Sequence, residues 1–198
     1  MKREAIKKIF SNIPTLKTER LILRKITVKD VDDVYEYSSD PDTSKYLLWS
    51  PHPDRYYTIE YVTYLKTRYR SGDFFDWGII DRETNKMIGT CGFTRFEYNH
   101  NSAEVGFVLN KKYHGKGIAT EAAREVLKFG FENLALNRIE CKYIVGNNAS
   151  RRVMDKLSMT FEGIVREGML VKGTYRDIGV CSLLRKEYEE QNNYNKAK

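Results

Sequence analysis

The sequence predicts an α+β, mixed α/β domain built on one central sheet, and three observations carry that prediction. Strand-like and helix-like stretches alternate along almost the whole chain of 198 residues. Three strand patterns follow in close succession, Phe74–Asp81, Met87–Phe96 and Glu104–Leu109, joined by turn residues at 82–86 and 98–102, as in an antiparallel meander. The strongest helical pattern, Thr120–Asn133, comes directly after a glycine-containing loop.

Taken in order, Leu21–Ile26 alternates apolar and polar residues as a strand does. Thr27 offers an N-cap to a helix whose Val31, Val34 and Tyr35 share a face. Residues 39–53 contain Pro41, Pro51 and Pro53 and read as loop, before a tyrosine-rich helix from Thr58 to Arg70 closed by Ser71-Gly72. After the meander, the helix Thr120–Asn133 keeps Ala123, Val126, Leu127, Gly130 and Phe131 on one side. A strand Arg138–Val145, a short helix Ala149–Leu157 and two strands, Phe161–Arg166 and Tyr175–Leu184, complete the pattern. Residues 1–14 form an N-terminal extension and 189–198 a polar tail, leaving 15–188 as the domain. The first dozen residues and those from Gln191 are polar enough to fray.

Composition narrows the class. Hydrophobic content of 41% and charged content of 31% suit a soluble globular chain. No window approaches the 18 apolar residues of a membrane span, and the basic start has no apolar run of a secretory signal. Cys91, Cys141 and Cys181 are far apart and in no metal-ligand spacing, so free thiols in a reducing cytoplasm are expected, with no metal. The net charge of +7 is spread along the chain without a block of five like charges. It leaves open a plain solvated surface, a polyanionic cofactor, an acidic protein partner or RNA.

The chemistry sits in the stretch from Ser102 to Phe131, which runs strand, glycine loop, helix. Gly115 and Gly117 allow a tight turn and close approach of a ligand to the backbone. Successive amides and the free donors at the helix start make an anion site, to which Lys111, Lys112 and Lys116 add charge. Pyrophosphate suits it. The spacing excludes a Walker loop, which needs GxxxxGK[ST], and a dinucleotide fingerprint, whose third glycine is here Thr120.

With these residues in place the chain resembles the GNAT N-acetyltransferase superfamily, and within it the ribosomal-protein N-terminal acetyltransferases of the RimJ/RimL type. Lys112, Gly115 and Gly117 match the family's Gln/Arg-x-x-Gly-x-Gly/Ala signature, with lysine in place of Gln or Arg. Five further segments resemble it in the right order over about Thr15–Tyr188: TERLILRKIT, MIGTCGF, AEVGFVL, NNASRRVMDKLSMTFEGIVRE and KGTYRDIGVCSLLRKEY.

The resemblance implies a splayed, mostly antiparallel sheet of about seven strands with about four helices. It also implies acetyl-CoA as co-substrate, without a metal. Phe107, Val108 and Leu109 would hold the pantetheine arm, and Lys112, Tyr113, His114, Gly115, Lys116, Gly117, Ile118, Ala119 and Thr120 the pyrophosphate loop. Asn147 and Ser150, in the Asn-x-x-Ser motif, would bond the cofactor arm. The implied reaction is direct attack of an amine on the thioester, with Glu104 as general base and Ser150 as proton donor to the thiolate.

Ser150 also reads as an ordinary helix N-cap, Glu104 as an outward glutamate, and Asn147 as a turn residue. Where the family carries a tyrosine acid this chain has Met154; where some members carry a glutamate it has Met169, with Glu167 two residues off as a reserve. Trp49 and the tyrosines of 56–69 read either as an acceptor pocket or as a helix's apolar face.

A peptide α-amine, with a pKa near 8, is roughly one quarter neutral at physiological pH; a lysine amine is neutral about once in a thousand. The expected acceptor is a protein or peptide α-amine, of a ribosomal protein by resemblance. The rivals are a small-molecule amine, drawn to Asp40, Asp42, Asp54 and Glu60 around Trp49, and a non-catalytic acetyl-CoA or RNA binding module. A monomer or homodimer is expected, with neither membrane nor nucleic acid as partner.

Overall fold

The computed structural model describes residues 3–196, folded as α1 (Arg3–Ser11), β1 (Leu16–Lys17), β2 (Leu21–Arg24), α2 (Val31–Ser38), α3 (Pro41–Ser44), α4 (Arg55–Ser71), β3 (Asp76–Asp81), β4 (Met87–Glu97), β5 (Ser102–Leu109), α5 (Ile118–Glu132), β6 (Arg138–Ile144), α6 (Asn148–Lys156), β7 (Thr160–Val171), β8 (Thr174–Leu184) and α7 (Arg185–Lys196). All eight strands join one sheet in the order β1-β2-β3-β4-β5-β6-β8-β7. Every neighbouring pair is antiparallel except β5 with β6. Those two are linked by the crossover α5, as a parallel pair requires.

The parallel pair is where the sheet opens. Its register runs through Ser102↔Arg138, Ala103↔Ile139 and Glu104↔Glu140 and then stops, although both strands continue. Arg138 pins the closed end by bonding Glu140, Ser182 and Glu162. Beyond it, residues 105–109 and 141–144 diverge, leaving backbone groups facing a cleft.

Register explains which helices cover which face. Trp77 pairs with Cys91 and Cys91 with Phe107, so these share one face, where the Trp77 ring meets Phe129 of α5 at 5.5 Å. Asp76, Gly92 and Gly106 form the next row and point to the other face, toward α2 and α4. The α4 helix starts at Asp54, whose carboxylate accepts the Tyr57 N–H at 2.8 Å, and ends at Gly72 with φ of 65°.

Three sequence expectations are corrected here. The first dozen residues do not fray: α1 buries Ile6 and Phe10, and Phe10 packs edge-on against Phe75 at 4.9 Å and Trp77 at 5.4 Å. Burying such a ring contributes about 1.5–3 kcal/mol. The tail does not fray at Gln191, since α7 continues to Lys196. The loop 39–53 holds the short helix α3, begun by Pro41 and capped by Asp40. With the two-residue strand β1, these additions bring the count to eight strands and seven α-helices among the described residues.

Candidate active site

Two cavities meet at the opening of the sheet. One, about 440 Å³, lies between the β5 edge and the start of α5. The other, about 390 Å³, lies on the α2 and α4 side. Tyr46, Leu47, Phe107, Val108, Asn147 and Ser150 line both, so the pair forms one passage with a waist at the splay.

The first cavity takes its shape from the loop before α5. Gly115 and Gly117 have φ of 75° and 77°, a left-handed region that penalises any side chain. Gly117 is the N-cap of α5 and offers no side chain to the helix, so the first-turn amides remain available to an anion. A Cβ on Gly115 would enter open space, leaving its backbone accessible.

The loop is braced from outside by Arg20. Its guanidinium donates to the Lys116 carbonyl at 2.9 Å and to Glu121 at 2.7 Å, while Thr18 donates to the same carboxylate at 2.5 Å. The sequence reading missed Arg20 as a site residue: it lies in the TERLILRKIT segment, remote in the chain from the loop it braces. Also missed were Lys45, Arg152 and Lys156, which give the cavity wall cationic groups.

Of the expected cofactor residues, Phe107, Val108, Leu109, Tyr113, His114, Gly115, Gly117, Ile118, Ala119, Thr120, Asn147 and Ser150 line this cavity. Lys112 and Lys116 do not. The Lys112 ammonium reaches back to Glu36 at 2.8 Å, and the Lys116 ammonium lies over the Tyr113 ring. His114 is tethered by its ring Nε2 to the Leu109 carbonyl at 2.9 Å.

Asn147, and not Ser150, is the N-cap of α6, because its side-chain oxygen accepts the Ser150 N–H at 3.2 Å. Its amide nitrogen then faces the Ser150 hydroxyl oxygen at 3.0 Å and donates to it. Ser150 therefore has its own O–H proton to offer to the cavity.

The second cavity carries aromatic walls and two carboxyl groups. Trp49, Tyr57 and Tyr61 line it, whereas Tyr56 and Tyr64 are exposed and Tyr69 is buried, so the tyrosine-rich helix serves both of its expected readings in part. His52 donates or accepts at Nδ1 with both Ser38 and Thr58 at 2.9 Å, and burial lowers its pKa. Glu104 binds Lys142 across the splay at 2.6 Å and accepts from Thr94 at 3.1 Å. Asp76, absent from the sequence-derived candidates, is the other carboxyl group.

Several expectations are corrected. Glu167 lies in the irregular stretch between Val165 and Met169, with φ of 49°, and is exposed away from both cavities. The alternation that would have kept it on the face of Met169 is broken by that bulge. Met169 does line the second cavity, while Met154 is buried in the core. The acidic residues around Trp49 do not line the second cavity: Asp40 and Asp54 are helix caps, Asp42 pairs with Lys111, and Glu60 is exposed. Asp76 and Glu104 supply its negative groups instead. Among the described residues no cluster suited to a metal ion occurs and no helix is long and apolar enough to cross a membrane.

The sequence pattern of the acetyltransferase (GNAT) domain matches residues 20–160. The chain belongs to the GNAT acetyltransferase family. An uncharacterised N-acetyltransferase of Bacillus licheniformis, p20, is 37% identical over 174 residues, covering 88% of this chain and 98% of that one. The ribosomal protein uS5-alanine N-acetyltransferase of Escherichia coli is 23% identical, covering 84% of this chain and 90% of that one. A crystal structure of a GNAT-family acetyltransferase from Bacillus anthracis superposes with a TM-score of 0.78 at 31% identity, covering 88% of this chain and all of that one. This chain is thus an N-acetyltransferase of a family that uses acetyl-CoA. Its eight-stranded splayed sheet is the family fold.

Proposed function

We propose that this acetyltransferase takes acetyl-CoA into the α5-side cavity and transfers acetyl to an α-amine of a protein or peptide entering from the other side, with a ribosomal protein as the acceptor. The observation that carries the reading is the shared waist: two cavities of substrate size meet at the open edges of β5 and β6.

The residues present fit the cofactor. Amides from Tyr113 to Ala119 hold the pyrophosphate, the Phe107–Leu109 edge takes the pantetheine arm by backbone hydrogen bonds, and Arg152, Lys156 and Lys45 add cationic groups. Ser150 donates its proton toward the departing thiolate, and Asn147 fixes it in that orientation. The similarity to ribosomal-protein acetyltransferases supports a protein acceptor. A small-molecule amine is the second reading, favoured by the carboxyl groups and aromatic walls of the acceptor-side cavity. The reaction is placed in the cytoplasm, in line with three buried free thiols.

A thermal melt tests the cofactor. Acetyl-CoA at about 100 times its dissociation constant adds roughly 2.7 kcal/mol, which raises Tm by roughly 5–10 °C in a chain of this size. Gly117→Glu puts a side chain on a left-handed backbone and a negative charge beside the phosphates, and abolishes most of that rise. An equal rise in the variant would show that the loop is not the phosphate site. A panel of peptides with free N-termini against polyamines and aminoglycosides separates the two acceptor classes.

A further inference from the structure

The two carboxyl groups of the acceptor-side cavity are in different states. Both oxygens of Glu104 are engaged, one by Lys142 and one by Thr94. Among the described residues the Asp76 carboxylate has no hydrogen bond or ion pair; the Tyr69 hydroxyl donates to its backbone carbonyl at 2.8 Å. No fully buried polar side-chain atom among the described residues lacks a partner, so the unbonded Asp76 oxygens open onto the cavity they line.

The strand register gives that carboxyl a direction. Asp76, Gly92 and Gly106 lie side by side on β3, β4 and β5. A Cβ on Gly92 would collide with the Asp76 carboxylate, which therefore leans over β4. Gly106 continues the bare row to the β5 edge, two strand spacings or about 10 Å from the Asp76 backbone. The row is a floor without side chains, running from one free carboxyl to the opening of the sheet.

We propose that Asp76 is the catalytic base, receiving the acceptor as an ammonium ion over the Gly92–Gly106 floor and taking its proton. This assignment rests on the acetyltransferase reading of the two cavities. The ammonium loses one proton to the Asp76 carboxylate, and the freed lone pair forms the C–N bond to the thioester carbonyl carbon. The C–S bond breaks, and the thiolate takes a second proton from the nitrogen by way of the Ser150 hydroxyl. Asp76 then returns its proton to water.

The surroundings suit this task. The groups facing Asp76 are Tyr37 of α2 and Tyr61 and Tyr69 of α4, all held above their usual pKa by burial and thus neutral. His52 lines the same cavity and is pushed toward its neutral form. Among the described residues no Lys or Arg forms an ion pair with Asp76, and burial raises its own pKa to about 7. A carboxyl poised there is half ionised at working pH and suited to exchange a proton with an amine.

The full-length protein, acetyl-CoA and L-alaninamide as a minimal α-amine make the test. The wild type is expected to show an acid limb in kcat/KM near pH 7. Asp76→Asn should lose about 100-fold in kcat/KM together with that limb, while keeping its acetyl-CoA-induced rise in Tm. Asp76→Glu, which retains a carboxyl, should recover part of the rate. Asp76→Asn within about twofold of wild type, with the limb intact, overturns the proposal and leaves the acetyltransferase reading standing. A 13C NMR titration of the Asp76 carboxyl in the CoA complex needs no turnover: a midpoint near 7 supports the assignment and one below about 5, an ordinary carboxylate, overturns it. A wild-type melt unmoved by acetyl-CoA overturns the cofactor reading instead.

Discussion

Ser150 shows how one residue's chemistry follows from its neighbour. The Asn147 carbonyl oxygen must accept the Ser150 N–H, which is only a donor, so the Asn147 amide can only donate to the Ser150 oxygen. With one of its lone pairs taken by that amide, the hydroxyl keeps its proton free for a developing negative charge in the cavity. Ser150→Ala removes that proton and leaves the helix cap intact, because the cap bonds the backbone. We expect kcat to fall by about 100-fold, the lower range for a general acid, with the acetyl-CoA shift in Tm unchanged. Loss of the Tm shift along with kcat would mean that Ser150 holds the cofactor rather than serving the leaving group. The motif made Asn147 and Ser150 legible from the sequence, but not their division of labour, since both are good caps. Asp76 gave no such signal: it is one charged residue inside the strand expected over Phe74–Asp81 and belongs to no motif. Only the register that sets it beside Gly92 and Gly106 gives it meaning.

At the scale of elements, Glu36 ties α2 to the end of β5, the start of β4 and the loop before α5. One carboxylate oxygen accepts from Lys112 at 2.8 Å and Asn110 at 3.1 Å, and the other from Lys86 at 3.3 Å. The Lys112 bond first, then those of Asn110 and Lys86, bring the Glu36 pKa down to about 2. A carboxylate held below its unfolded value stabilises the fold above roughly pH 4.5, and that contribution is lost as pH falls toward 2. Glu36→Gln should therefore lower Tm at pH 7 by about 2–4 °C, the equivalent of about 1 kcal/mol for a partly exposed cluster. The gap between variant and wild type should close as pH falls from 4.5 to 2. A gap that persists at pH 2 would mean packing, rather than charge, holds this junction. The central elements were legible because β3, β4, β5 and α5 carry long, clean periodicities. The helix α1 was not, since its sequence REAIKKIFS offers only a few apolar residues among charges; its fit under Phe75 and Trp77 is a tertiary fact.

For the whole molecule, the order in which reactants meet follows from the position of its nucleophiles. Cys91, Cys141 and Cys181 are all buried, their thiols pushed up in pKa by burial, and none lines either cavity. The groups at the waist, Ser150 and Asn147, bond each other, and among the described residues no base is hydrogen-bonded to Ser150 to activate it as a nucleophile. Under the proposed function, the second cavity lets the acceptor reach the thioester itself. That arrangement calls for a ternary complex and direct transfer. Initial-rate plots against acetyl-CoA at several acceptor concentrations should intersect, and protein incubated with labelled acetyl-CoA alone should carry no label after denaturation. Parallel lines, or an acetyl group retained on Ser150, would instead place a covalent intermediate at the waist and remove the need for both substrates to occupy the splay together.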